Sequence, residues 1–373
     1  MNRSKIYAAY LPQYHETAEN NEFWGKGFTD WVAVRDCKPV YEGQIQPRKP
    51  LDDNYYDLSD YNAIDWQARI AKKYGIDGFM IYHYWFNENR AVLDKPVHLL
   101  REHREIDISY FFCWDNSSWI RSWSNLSGNA WAPKYEDKKR DTTGNVVLME
   151  HNYGSKEQWE KHFYWLLPFF RDSRYEKING KPVFVFFGTD NKYILTAMCM
   201  YWNSLAIENG LSGIYFITRT GLFRNKHVGD AQFRYQSGGV FRKKKYLKSF
   251  LGNVFHINKY NEYKSIISYD KAWNIILNQS RRFVKKHIFV TGIVRYDDTP
   301  RRGEVANIIK GETSEKFYKY FSQFYKLNCK YNMEFCLLMA WNEWGEGAYL
   351  EPDSISKYEY LEVVKKVVNE YET

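Results

Sequence analysis

The 373-residue chain predicts a single (β/α)8 barrel of the TIM type, and three observations carry that assignment. Short, nearly continuous apolar runs alternate with longer amphipathic segments, the pattern of a parallel sheet covered on both faces. Eight such runs occur, the number that closes a barrel. No G-x-G-x-x-G follows the first run and no G-x-x-x-x-G-K-[ST] occurs, which removes the usual grounds for an open nucleotide-binding sheet. A prior of roughly 150 residues per domain would suggest two domains, but α/β barrels run long as one. With no Pro/Gly/Ser-rich linker, internal repeat or low-complexity tract, residues 1–373 are read as one catalytic domain.

In chain order, the first strand is expected at 5–11 (KIYAAYL). A helix follows over 59–74 (SDYNAIDWQARIAKKY), closed by Gly75 as a helix stop. The second and third strands fall at 78–86 (GFMIYHYWF) and 108–115 (ISYFFCWD), with a helix over 156–171. The fourth strand is 182–188 (PVFVFFG), then a helix over 191–209, then a fifth strand at 213–219 (GIYFITR). The sixth, 231–236 (AQFRYQ), is the least apolar. Helices over 269–286 and 314–328 flank the seventh strand, 288–296 (IFVTGIVRY), and the eighth is 334–341 (EFCLLMAW).

Aromatic residues make up 19% of the chain; they fill cores, and their flat rings also stack on the apolar faces of pyranoses. The net charge of +8 is mild for this length. Its densest clusters, FRKKKYLK at 241–248 and RRFVKK at 281–286, read first as solvated faces. Their functional readings are an anionic substrate, a phosphate-bearing carrier or the inner leaflet of a membrane. No recognition-helix pattern or aromatic RNA-binding motif accompanies them, so nucleic acid is not expected as a partner. Five scattered cysteines without a C-x-x-C are expected as buried thiols, with no disulfide framework, zinc site or other metal. The N-terminus has no apolar h-region with a cleavage site, and no apolar run reaches ~18 residues, so a cytoplasmic protein is expected.

Barrel enzymes place their chemistry at the C-terminal ends of the strands. After the first strand stand Tyr14, His15, Trp24, Asp30 and Trp31; the second supplies His83, Tyr84 and Trp85. The third supplies Trp114, Asp115, Asn116 and Trp119, and the seventh Asp297, Asp298, Arg301 and Arg302. The eighth runs into AWNEWGEGAYLEPD, with Trp341, Asn342, Glu343, Glu346 and Tyr349. Such a rim suits glycosidic-bond chemistry: one carboxylic acid protonates the departing oxygen while a second acts at the anomeric centre. Burial among Trp341, Trp344 and Tyr349 would raise one glutamate's pKa enough for acid catalysis. Residues three apart share a face only in a helical segment, and the same glutamates could instead cap a helix or pair with rim arginines.

The stretches AAYLPQYH…FWGKGFTDW, QPRKPLD…YYDLSD, KKYGIDGFMIYHYWFN, YDDTPRR and AWNEWGEGAYLEPD resemble the WbsX-like family over about residues 6–353. That bacterial group is labelled glycosyltransferase of surface polysaccharide (O-antigen or capsule) biosynthesis and is grouped with the endo-α-mannosidase-like glycoside hydrolases of family 99. The resemblance implies a (β/α)8 barrel without metal or cofactor. It also implies that Glu343 is similar to the base that activates a sugar's own 2-hydroxyl, and Glu346 to the general acid/base at the leaving oxygen. Where the family typically shows CWANENW, this chain has CWDNSSW: Asp115 replaces Ala, and Ser117 and Ser118 replace Glu and Asn. That change bears on sugar specificity. A sugar-nucleotide-dependent glycosyltransferase and a non-catalytic carbohydrate-binding barrel are the alternatives; the first lacks an Asp-x-Asp here, and the second is disfavoured by the intact glutamates. The expected partner is an oligosaccharide or polysaccharide, lipid-linked in one reading, with peripheral inner-membrane association.

Overall fold

The computed structural model describes residues 3–120, 147–188, 191–220, 229–236, 239–241 and 265–372. Its centre is a closed barrel of eight parallel strands: β1 (Lys5–Tyr10), β2 (Gly78–Asn87), β3 (Ser109–Trp114), β4 (Lys181–Phe186), β5 (Tyr215–Arg219), β6 (Ala231–Arg234), β7 (Ile288–Ile293) and β8 (Phe335–Met339). Each pairs with the next, and β8 returns to β1 through Lys5–Phe335 to Ala8–Leu338, so the barrel has no open edge. All eight expected strands are present. The seventh run overshoots: the strand ends at Ile293, Val294 still donates to the Met339 carbonyl of β8, and the buried Arg295 and Tyr296 start the loop that carries Arg301.

Helices α1 (Tyr61–Lys73), α2 (Lys95–Glu102), α3 (Lys156–Phe170), α4 (Lys192–Glu208), α5 (Tyr269–Phe283), α6 (Ser314–Lys330) and α7 (Glu359–Glu372) surround the strands. Most start on a polar cap that accepts an otherwise orphaned amide N–H: Asp60 from Asn62, Asn191 from Ile194, Ser268 from Lys271 and Thr313 from Lys316. Helix α2 escapes a periodicity reading because its eight residues make barely two turns, and it opens on Pro96 in the first turn. Helix α7 was not anticipated either, although Tyr360, Leu361, Val364, Val367 and Val368 form its buried stripe. The basic cluster at 241–248 lies outside the described residues from 242 onward, whereas Arg281, Arg282, Lys285 and Lys286 stand exposed at the end of α5.

Rings fill the barrel floor. Tyr7 meets Phe111 at 4.8 Å between centroids, Phe111 meets Phe335 at 5.2 Å, and Phe335 meets Phe289 at 5.5 Å. Gly78 on the neighbouring strand makes this layer fit: a Cβ there would lie 2.3 Å from the Tyr7 ring. The five cysteines are free and buried. Among the described residues no helix is long and apolar enough to cross a membrane. Because Phe335 touches three rings of this layer, Phe335→Ala is expected to cost about 3–5 kcal/mol, read as a lowered urea midpoint at unchanged slope.

Candidate active site

The chain leaves β8 through Trp341 and forms a two-residue strand, Asn342–Glu343, that pairs antiparallel with Ala348–Tyr349. Between them Trp344–Glu346 makes a single 3-10 turn, closed by the Gly347 N–H donating to the Trp344 carbonyl at 2.9 Å. In a 3-10 turn residues three apart eclipse, so Glu343 and Glu346 emerge on one side. Gly347 takes a left-handed φ of 55°, and a Cβ on it would sit 2.9 Å from the Asp297 carbonyl oxygen. The Asp297 N–H donates to the Glu346 carbonyl at 2.8 Å, which locks the turn onto the loop after β7.

One guanidinium ties the acids together. Arg301 Nη1 donates to Glu346 Oε1 at 3.0 Å, and Nη2 donates to Glu343 Oε2 at 3.2 Å and to Asp30 Oδ2 at 2.7 Å. Gly345 permits this approach, since a Cβ there would lie 2.6 Å from Arg301 Nε and 2.9 Å from Asp30 Oδ2. Asp30 is fully buried and Glu343 is 5% exposed. Three carboxylates around one cation leave negative charge in excess in a dry place. Burial accordingly pushes both glutamates above the ordinary carboxylate range, with Arg301 opposing the shift. Burial thus favours a proton held between the two glutamates. Pairing with a rim arginine and facing a cavity both hold for these glutamates.

The cavity measures about 340 Å³. Glu343, Glu346 and Arg301 form one wall; Trp24, Tyr82, Tyr84, Trp119, Phe187 and Tyr235 supply rings; Asp115, Ser117 and Ser118 come from the loop after β3; Leu11, Gln13 and Leu148 complete it. Burial raises the Asp115 pKa, and the Ser117 hydroxyl donates to its carboxylate. Of the residues expected from sequence, Trp24, Tyr84, Asp115, Trp119, Arg301 and both glutamates are brought together here.

The others are placed in the scaffold behind it. Tyr14 donates its hydroxyl to the Asn342 carbonyl at 2.6 Å and accepts from the Trp344 N–H at 3.1 Å. Asn342 holds Leu11 at both ends of its amide, at 2.7 and 3.0 Å. Trp31 donates to the Tyr56 carbonyl, and Tyr349 stacks on Trp344 at 3.7 Å while donating to Asp353. Trp341 packs on Phe79 at 5.3 Å. His83 and Trp85 point away from the cavity onto α3, where His83 Nε2 lies 2.8 Å from His162 Nε2 and Trp85 stacks on the His162 ring. Burial holds these imidazoles neutral, with His83 pushed down to about 3. His15 is likewise buried, with a lowered pKa. Trp114 donates to the Trp85 carbonyl, Asn116 braces Gly188 and Tyr153, and Asp297 accepts from Gln44 and Gln46. Sequence reasoning missed Tyr82, Gln13, Phe187 and Tyr235 as lining residues; Tyr82 was recoverable, because strand alternation puts it on the same face as Tyr84.

The fold and the site define a (β/α)8 barrel with two buried glutamates on one wall of a cavity at the C-terminal ends of its strands. A family model described as Glycosyltransferase WbsX matches residues 6–364, and the chain belongs to that family. It is 24% identical over 376 residues to the uncharacterized protein WxcX of Xanthomonas campestris pv. campestris (strain B100), covering 97% of this chain and 49% of the relative; the chain spans about half the length of the curated relatives it matches. Among solved structures it is similar in fold to the GH99 endo-alpha-mannosidase from Bacteroides thetaiotaomicron, at TM-score 0.56 and 13% identity over 98% of this chain and 97% of that one. A chain described as a glycoside hydrolase-like protein matches at TM-score 0.58 and 11% identity, over 98% and 94%.

The raised carboxylates have a stability consequence. The native state keeps a proton that the unfolded chain releases above the ordinary value near 4.5, so this pair's contribution to stability falls as pH rises from there. Glu346→Gln mimics the form of the pair that keeps its proton on the proposed acid. Its melting temperature is expected to exceed that of the native chain by a few degrees (about 2–4 °C) at about pH 8 and by less at about pH 5. A loss at the higher pH would mean that the ionised pair is stabilising.

Proposed function

We propose that this chain forms or cleaves a glycosidic bond with Glu343 and Glu346, in acid/base chemistry like that of family 99 endo-α-mannosidases. The observation that carries the reading is the placement of both glutamates on one wall of a ring-lined cavity, with burial raising both pKa values. Glu343 takes the proton of the sugar's 2-hydroxyl as that oxygen bonds to the anomeric carbon. Glu346 gives its proton to the glycosidic oxygen, and the bond from that oxygen to the anomeric carbon breaks. In the second half the 1,2-anhydro ring opens: water or an acceptor hydroxyl, deprotonated by Glu346, attacks the anomeric carbon, and the 2-oxygen recovers its proton from Glu343. Transfer prevails over hydrolysis when a sugar hydroxyl occupies the acceptor position and water is excluded.

The charge of the cavity favours an oligosaccharide over a sugar nucleotide. Arg301 is the only cation among the described lining residues, and Asp30 and both glutamates already engage it. A diphosphate would meet Asp115, Glu343 and Glu346 on the described wall, where the one lining guanidinium is already engaged and Arg219 packs on the Phe187 and Tyr235 rings. In the cell, we place the reaction in bacterial surface-polysaccharide metabolism, O-antigen and lipopolysaccharide included, on the cytoplasmic side of the inner membrane. A lipid-linked glycan is the substrate in this reading; the family description and the exposed basic end of α5 support it.

Glu346→Gln is expected to lower turnover at least about a hundredfold while glycan binding stays measurable by calorimetry; an unchanged rate removes Glu346 from the mechanism. Calorimetric titration with UDP- and GDP-sugars beside reduced oligosaccharides separates the readings. Oligosaccharide binding is expected with nucleotide binding weaker than about 1 mM, and tight nucleotide binding would move the assignment to a sugar-nucleotide-dependent transferase.

A further inference from the structure

Helix α4 has an outer face that a solvated helix does not carry. Its sequence, KYILTAMCMYWNSLAIE, has no charged residue between Lys192 and Glu208. Leu195, Met198, Cys199, Trp202, Leu205 and Ala206 form the buried face against the barrel. The opposite face is also apolar: Tyr193 is 88% exposed, Met200 68% and Ile207 65%. A surface helix ordinarily turns charged and polar groups outward, and a helix apolar all round is ordinarily covered on all sides.

The three exposed side chains are spaced by seven, which advances almost two full turns and places them in one row about 21 Å long. Small residues, Thr196, Ala197 and Ser204, lie between them on the same exposed side. Large knobs therefore alternate with shallow holes, the relief that lets one helix seat against another. Tyr164 of α3, 46% exposed, extends the apolar area sideways, while Lys156 over the Tyr201 ring and the Tyr201 hydroxyl on Glu160 form a polar border.

We propose that this face is a two-fold interface with a second copy of the chain, α4 lying antiparallel to α4 with the axis at Met200. The sequence of the helix is symmetric about that residue in the sense the symmetry requires. Tyr193 and Ile207 stand seven positions either side, so each Tyr193 meets the partner's Ile207, and the two Met200 side chains meet on the axis. Lys192 and Glu208 stand eight positions either side, so each end of the contact pairs a cation with an anion. Neither makes an ion pair within the chain among the described residues. A parallel arrangement would set Lys192 against Lys192 and Glu208 against Glu208, so the charges select the antiparallel one. Antiparallel helices also align their dipoles favourably. Because α4 runs against the strands, the two barrel mouths then open in opposite directions and both cavities stay accessible.

Sedimentation velocity of the full chain across about 1–100 µM tests this directly. A monomer–dimer equilibrium is expected for the native sequence. Met200→Arg, which puts two like charges on the axis, is expected to give monomer throughout with an unchanged circular dichroism spectrum and melting temperature. Lys192→Glu is expected to weaken the dimer about tenfold, and adding Glu208→Lys to it to restore the native constant within about threefold. A native chain that stays monomeric over the whole range overturns the proposal, and so does a dimer indifferent to Met200→Arg. A charge swap that fails to rescue overturns the antiparallel arrangement.

Discussion

The site is organised by one electrostatic problem, the seating of three carboxylates around a single guanidinium where water is scarce. Like charges a few ångströms apart repel strongly in such surroundings, and the Arg301 contacts at 2.7, 3.2 and 3.0 Å offset only part of that repulsion. The rest raises both glutamate pKa values and so favours retention of a proton. Much of the local architecture serves this arrangement. Gly345 has no side chain because the guanidinium and Asp30 occupy the space, Gly347 bends the turn so that both glutamates face one way, and Asp297 N–H pins the turn in place. Asp30 is held at the start of the short helix Asp30–Arg35, so three segments far apart in sequence converge on one cation.

Beneath that cluster lies a layer of rings and polar hooks. Trp344 stacks on Tyr349, Trp31 leans on Tyr14, Tyr56 and Trp344, and Glu351 accepts from Tyr56, Gln67 and the Trp344 indole at 2.9, 2.7 and 2.6 Å. These contacts fix the backbone on both sides of the glutamates, which is the preorganisation that the proposed acid/base chemistry demands. The aromatic richness of the chain thus divides between a packed floor, a rigid support under the site and a smaller set of rings on the cavity wall.

The barrel was legible because its signal is long-range and redundant. Eight apolar runs separated by amphipathic helices leave little choice of topology, and the whole rim of candidate residues followed from strand ends alone. Which rim residues face inward was less legible, since that depends on alternation at the end of each strand. On β2, Tyr82 and Tyr84 line the cavity while His83 and Trp85 face α3, so reading His83, Tyr84 and Trp85 as a contiguous set merged two environments. After β3, Asp115 faces inward between Trp114 and Asn116, which serve the scaffold. The 3-10 geometry that aligns Glu343 with Glu346 depends on tertiary packing of Asp297 and Arg301 against two glycines, and no local pattern announces it. Helix α7 shows the reverse case, a clear amphipathic stripe that was present in the sequence and went unread.

The same electrostatics bear on what the site can hold. Asp115 brings a further carboxylate to the cavity lined by the glutamates, and Ser117 supplies the hydroxyl that orients it. The added acid makes the cavity less hospitable to phosphate or uronate groups and gives a sugar hydroxyl one more acceptor. It leaves the pair on Arg301 untouched, because neither the guanidinium nor Asp30 takes part in the Asp115 contact. In the reaction proposed above, the bond-making groups therefore follow β7 and β8, whereas the carboxylate proposed to bear on sugar choice follows β3. A change in the loop after β3 can then alter which glycan is accepted while the glutamate turn stays as it is.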